Sequence, residues 1–171
     1  EEMIGEKLLS VIINRGWKII IRPHPDTLRL HNDKYKKLKD KFMHHSDCKF
    51  EENISNMDSY YFSNLMISDW SGAAFEFAFG LEKPVIFIDM PKKINNSDFN
   101  LYTREPVEIK LRAKIGILVK IERLDNLINV LNEVYKNRKL YKEKIIKERE
   151  KTIYNIGQSA SRGARYLNDL V

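Results

Sequence analysis

Three short segments of the chain carry residue types suited to holding an anion. In Arg22-Pro23-His24-Pro25 an imidazole stands between two prolines beside a guanidinium. The prolines fix their own φ and push the preceding residues toward extended backbone, so the segment reads as a rigid loop. An imidazole changes charge near neutral pH, which suits His24 to general acid or base work or to donating to a phosphate. A loop histidine packed between prolines is the plainer alternative. In Ser68-Asp69-Trp70-Ser71-Gly72-Ala73-Ala74-Phe75-Glu76 a hydroxyl and a glycine precede a run of small and aromatic residues. Unpaired N–H groups and the macrodipole at a helix start attract anions, and Gly72 leaves the approach open. Asp69 or Ser71 could equally be an ordinary N-cap. Glu76, five residues past Ser71, suits a ribose diol or a cation if buried and is an ordinary surface acid if not. The third segment, Asn155-Ile156-Gly157-Gln158-Ser159-Ala160-Ser161, repeats the pattern of glycine and hydroxyls before a helix, with Arg162 and Arg165 following. Capping alone would explain it as well.

The first two segments gain weight from what precedes them. Trp17-Lys18-Ile19-Ile20-Ile21-Arg22 and Leu65-Met66-Ile67-Ser68 are short apolar runs that read as buried strands, as does Lys83-Pro84-Val85-Ile86-Phe87-Ile88-Asp89. In open parallel sheets, ligands lie beyond the carboxyl ends of the strands, where the first two segments fall. The opening apolar spacing at Ile4, Leu8, Leu9, Ile12 and Ile13 predicts a helix closed by Gly16. Further helices are expected over 33–43, 54–63, 71–79 (ended by Gly80), 122–135, 139–154 and 159–170, with strands at 48–51 and 115–119. Residues 90–114 read as a long loop, often functional in a compact domain. Strands separated by helices imply an α/β domain, a doubly wound parallel sheet of Rossmann-like type with helices on both faces.

Composition bounds the rest. With 171 residues, 43% hydrophobic and 32% charged, the chain is expected to form a single globular α/β domain rather than a disordered or coiled-coil one. Its single cysteine, Cys48, cannot close an intramolecular disulfide, which favours a reducing, cytoplasmic setting. No apolar run approaches the roughly 20 residues that cross a bilayer. His44-His45 with Asp47 and Cys48 lacks the spacing of a zinc site, so no metal is expected. No GxGxxG, Walker loop or GxSxG elbow is present, which argues against dinucleotide oxidoreductase, P-loop and α/β-hydrolase chemistry. The net charge of +6 gathers in two stretches: six lysines lie between Lys34 and Lys49, and eight Lys or Arg between Lys136 and Lys151. Such stretches are ordinarily solvated helix faces. Contact with the anionic inner face of a membrane is the functional alternative, and nucleic acid is not expected.

Taken in order, Arg22-Pro23-His24-Pro25, Ser68-Asp69-Trp70-Ser71-Gly72-Ala73-Ala74-Phe75-Glu76, Lys83-Pro84-Val85-Ile86-Phe87-Ile88-Asp89 and Gly157-Gln158-Ser159 resemble the CDP-glycerol glycerophosphotransferases, makers of teichoic-acid and capsule polymers. The resemblance covers 17–89 and 155–170. It implies a GT-B enzyme of two Rossmann-like domains, of which this chain looks like the C-terminal, nucleotide-donor half. Carried over, His24 lies at the donor phosphates with a catalytic role. Arg22, Asp69, Ser71, Gly72, Gly157, Gln158 and Ser159 bind phosphate, and Glu76 binds the ribose. No separate cofactor is implied, since the nucleotide donor is a substrate. The polyol or glycan acceptor would be held mainly by an N-terminal domain, so this chain alone is expected to be a fragment with little activity. The sequence departs from the family pattern at Arg22 (usually Lys), Trp70 (Tyr), Gly72 (Ser) and Glu76 (Asp). The Ser-Gly-x-x-x-Glu spacing also resembles UDP-N-acetylglucosamine 2-epimerases, which keeps a UDP-sugar enzyme as an alternative. A non-catalytic nucleotide-binding or membrane-docking module is a third.

Overall fold

A computed structural model describes residues 4–91 and 105–170 of the chain. All five of its strands run parallel to their neighbours, as continuous apolar strands between helices require. Helix α1 (Ile4–Ile13) leads through Gly16, at φ 75°, into β1 (Ile19–Ile21). The short α2 (Pro25–Leu30) and the lysine-rich α3 (Asn32–Phe42) follow, then β2 (Cys48–Phe50). Next come α4 (Asp58–Phe62), β3 (Met66–Ser68), α5 (Ala73–Leu81) and β4 (Val85–Asp89). Beyond residue 104 the order is α6 (Val107–Ile115), β5 (Gly116–Lys120), a 3₁₀ turn (Ile121–Asn126), α7 (Leu127–Lys136), α8 (Arg138–Thr152) and α9 (Ser159–Asn168). The fold is Rossmann-like α/β, with parallel strands flanked by helices.

The expected sheet is divided. Among the described residues β1 pairs only with β2, and β3, β4 and β5 form a second sheet in that order. The core is divided in the same way. Phe77, Ile86, Phe87, Leu127 and Leu131 belong to a large cluster around β4, whereas Phe42, Leu9 and Ile13 form a small one beneath β1 and β2. Helix α1 straddles both, giving Ile12 to the large cluster and Leu9 and Ile13 to the small one.

Four expectations of local structure need correction. The predicted loop over 90–114 contains α6, whose Leu111 and Ile115 are buried; residues 92–104 lie outside the described residues. The predicted helix over 54–63 shrinks to Asp58–Phe62. Asn53 Oδ1 accepts the Ser55 N–H and Asn56 Oδ1 the Asp58 N–H, and such side-chain turns compete with helix. Gly80 does not end α5, which continues to Leu81 and stops at Glu82 in left-handed conformation. Arg149 of α8 secures that end by donating to the Phe79 carbonyl (2.7 Å) and the Glu82 carboxylate (2.8 Å), placing a cation at the negative helix terminus. Finally, the helix predicted over 122–135 is a 3₁₀ turn, with non-helical backbone at Arg123 inside it, followed by α7.

Among the described residues, no helix is long and apolar enough to cross a membrane.

Candidate functional site

β1 hands the chain directly to Arg22-Pro23-His24. His24 is extended (φ −62°, ψ 144°) and serves as N-cap of α2, with Pro25 in the first helical position, where its missing N–H leaves nothing unpaired. The segment is therefore a helix entry, not only a loop. His24 Nδ1 accepts the Asp26 N–H at 3.1 Å. A neutral ring whose Nδ1 accepts carries its proton on Nε2, so the free nitrogen of His24 is a donor. Asp26 Oδ2 stands 3.7 Å from Nδ1.

Arg22 is held on the far side of this turn. Its guanidinium donates to the Asn56 and Ile54 carbonyls and to Ser59 Oγ (2.8 Å), and it stacks on the Tyr60 ring with 4.8 Å to the centroid. Its fork thus fastens the segment before α4 to the carboxyl end of β1. A lysine has no planar fork and could not reach all three acceptors while also stacking on the Tyr60 ring. Arg22→Lys should therefore lower stability by about 1–2 kcal/mol. Denaturant unfolding checks this, and an unchanged midpoint would show that the fork contacts contribute little.

β3 leads into the second turn. Ser71 Oγ accepts the Ala73 N–H at 3.3 Å, and Gly72 is already helical in backbone angles, so the turn passes smoothly into α5. Ala74, Phe77 and Ala78 are fully buried, which presses α5 onto the sheet and fixes where its N-terminus points. Trp70 anchors the turn from below. Its indole N–H donates to the Met90 carbonyl at 2.7 Å, and the Arg112 guanidinium lies 3.8 Å from its ring centroid. Arg112, only 2% exposed, in turn donates to the Ile88 carbonyl (3.2 Å) and to Asp89 (3.4 Å). Burial pulls its guanidinium below the usual arginine range, and the Asp89 and Asp69 carboxylates oppose that shift. The chain of contacts from α6 to the Ser71 turn was not foreseen. Val107, Leu111 and Ile115 at four-residue spacing signal the helix, but nothing in the sequence marks Arg112 as its inward cation.

The two turns meet at one cavity of about 1030 Å³, whose walls include Arg22, Pro23, His24, Asp69, Ser71 and Gly72. Other expected residues lie elsewhere. Glu76 is exposed on α5 and is absent from the cavity wall, although its charge is felt at Tyr60. Gly157, Gln158 and Ser159 form an exposed turn between α8 and α9 that does not line the cavity either. There Gly157 takes φ 74°, and Ser159 Oγ donates to the Asn155 carbonyl at 3.0 Å. Chemically, the cavity offers an imidazole donor, a hydroxyl and a helix start at the carboxyl ends of two parallel strands, the arrangement that receives phosphate groups.

Neither the comparison with curated proteins nor that with solved structures gives a significant match. The comparison with protein families does: the model described as CDP-Glycerol:Poly(glycerophosphate) glycerophosphotransferase matches residues 4–168, a span that takes in both turns, the buried Arg112 and the turn before α9. The chain belongs to this transferase family.

Proposed function

We propose that the chain is the nucleotide-donor domain of a GT-B enzyme that transfers glycerol phosphate from CDP-glycerol to a hydroxyl of a polyol or glycan in cell-envelope polymer synthesis. The observation that carries this reading is the convergence of the His24 turn and the Ser71 turn on one cavity. The diphosphate lies against the start of α5, where Ser71 and the N–H groups from Gly72 onward face its negative charge. His24 donates from Nε2 to a phosphoryl oxygen. Arg22, with three of its five N–H donors engaged, contributes positive potential, and Asp69 orients the turn. Glu76 for the ribose and Gly157–Ser159 for a further phosphate contact would need to approach the donor in the complete enzyme.

In the reaction, an acceptor oxygen bonds to the β-phosphorus while the bridging P–O bond breaks, and CMP leaves with the electron pair. The acceptor proton passes to a base on the acceptor side, since the His24 nitrogen left free is the protonated one. Fixed donors aimed at the phosphoryl oxygens stabilise the charge that develops there. The acceptor is bound mainly by a second domain. The reaction belongs at the cytoplasmic face of the membrane, where the lysine-rich α3 and α8 give peripheral contact with anionic lipid.

A thermal-shift series with CDP-glycerol, CDP, CMP, UDP and UDP-sugars tests the assignment. At a ligand concentration 100-fold above Kd, native-state binding adds about 2.7 kcal/mol, or roughly 5–10 °C at this chain length. The expected result is a shift selective for cytidine nucleotides that His24→Ala and Ser71→Ala remove. A uridine-selective shift would replace this reading with a UDP-sugar enzyme. A shift untouched by both substitutions would remove the cavity from the argument.

A further inference from the structure

Tyr60 of α4 is 7% exposed and lines the cavity, yet its hydroxyl has no hydrogen-bond partner among the described residues. The side-chain polar atoms that are both sealed and unpaired there are Arg112 Nε and Arg149 Nε. The Tyr60 oxygen is not one of them, so it reaches open space, and the cavity is the open space that Tyr60 lines. A buried tyrosine ordinarily finds a partner for its hydroxyl, and one left without a partner at a cavity wall is available to a ligand.

The ring is fixed from several directions. Phe77 of α5 meets it edge to face, with 5.7 Å between centroids and 83° between planes. The Arg22 guanidinium covers it at 4.8 Å from the centroid. Lys83 donates to the carbonyls of Tyr60 (3.1 Å) and Tyr61 (2.6 Å), which ties the end of α4 to the segment before β4. A phenol oxygen lies on the axis of ring rotation, so a ring held in this way presents its hydroxyl at one place. Burial lifts the phenol above its ordinary range; Arg22 opposes the shift and the Glu76 carboxylate adds to it, so the hydroxyl keeps its proton and can donate.

We infer that the Tyr60 hydroxyl hydrogen-bonds a ribose hydroxyl of the bound nucleotide and makes the cavity selective for ribonucleotides over deoxyribonucleotides. The inference rests on the nucleotide-donor reading proposed above. Charge sets the phosphates apart from this place, because the Glu76 carboxylate that acts on the phenol would repel them, whereas a neutral diol is tolerated. Position agrees. Along α5, Glu76 and Phe77 stand four and five residues past Gly72, roughly 6–8 Å at 1.5 Å per residue. The diol of a ribose hangs at a comparable distance from the phosphate to which it is esterified, so a diphosphate at the Ser71 turn brings the sugar to the ring that packs on Phe77. Glu76 itself is exposed and off the cavity wall, and Tyr60 supplies from the wall the contact that Glu76 does not. A site built to bond a hydroxyl discriminates against the analogue that lacks it, because its own polar group is then left unpaired.

Titration calorimetry with CDP, 2′-deoxy-CDP and 3′-deoxy-CDP on the 171-residue chain and on its Tyr60→Phe variant tests this, with UDP and its deoxy analogues in their place if the chain prefers uridine. Tyr60→Phe should bind CDP about 5–10-fold more weakly, the loss of one neutral hydrogen bond. The analogue that lacks the bonded hydroxyl should bind the two proteins within about twofold of each other, while the other analogue keeps the full difference. Without nucleotide the two melting temperatures should agree within about 2 °C, since the hydroxyl bonds nothing in the protein. Three results would overturn the inference and leave the donor site standing: CDP binding as tight in Tyr60→Phe as in the parent, an equal loss for CDP and both analogues, or a clearly lower melting temperature that marks the hydroxyl as already bonded within the fold. A parent chain that binds neither CDP nor UDP would remove the donor site, and the inference with it.

Discussion

Gly116→Ala should lower the stability of the fold by about 3 kcal/mol, which at this chain length is a fall in melting temperature of roughly 6–12 °C. Gly116 opens β5 opposite Val85 of β4. Its backbone is extended (φ −161°), so any residue could adopt the conformation and space is what excludes a side chain. A Cβ there would be driven into the Val85 carbonyl oxygen and against the Phe87 ring. The oxygen is backbone in the most buried strand and cannot swing aside, so the sheet must open or the strand must shift. Gly80→Ala supplies the contrast. Gly80 lies within α5, is exposed, and a Cβ there would meet nothing within 4 Å. In a helix interior, alanine is favoured over glycine by roughly 0.5–1 kcal/mol, so this variant should melt slightly higher. Calorimetry on the pair checks the register directly. A Gly116→Ala protein as stable as the parent would mean that β5 does not meet β4 at Val85.

The same contrast explains which elements could be read from sequence. Val85 to Ile88 form an unbroken apolar run because they are covered on both faces, and the strand was legible for that reason. α7 was legible through its stripe of Leu124, Leu127, Ile128, Leu131 and Val134, although the stripe begins in the 3₁₀ turn. Gly80 misled because the helix end is held from a distance by Arg149, which lies 70 residues away in the chain from the Phe79 carbonyl it caps. Local signals cannot carry a contact of that length. α6 escaped notice because its stripe of Val107, Leu111 and Ile115 is short, follows Pro106, and alternates with charged residues, one of which is buried. At the candidate site, the rule that ligands gather at strand carboxyl ends was enough to single out His24 and Ser71 together, because both turns follow directly from strands. It could not position Gly157–Ser159, which follow a helix, nor foresee that the guanidinium of Arg22 would be directed to the segment before α4. The division of the sheet was also hidden, since strand pairing is a property of the whole chain rather than of any segment.

Arg112 carries the other large expectation. Arg112→Lys should lower stability by about 2–4 kcal/mol and weaken nucleotide binding even though the charge is kept. The guanidinium does two things that an ammonium cannot combine. Its flat face covers the Trp70 ring, a contact worth about 2 kcal/mol when desolvated, and its edge reaches both the Ile88 carbonyl and Asp89. Among the described residues Arg112 Nε finds no partner, so part of this gain is already offset in the native protein. Arg112→Met separates packing from polarity: it fills similar space but leaves Asp89 without its cation and the Ile88 carbonyl with the Met90 N–H alone, and it should lose about as much. Trp70 reports the consequence. Freed from the guanidinium, the indole keeps only its bond to Met90, and the adjoining Ser71 turn loses the support that fixes it. Displacement of a binding group by about 1 Å can cost on the order of 100-fold in function, so a small shift of this turn is enough. The expected signature is a change in Trp70 fluorescence, assigned in a Trp17→Phe background, together with loss of the nucleotide-induced thermal shift at temperatures where the variant is still folded. If Arg112→Lys keeps both the emission of Trp70 and the thermal shift, then the turn is held by α5 packing alone. The buried cation would then serve the sheet rather than the site.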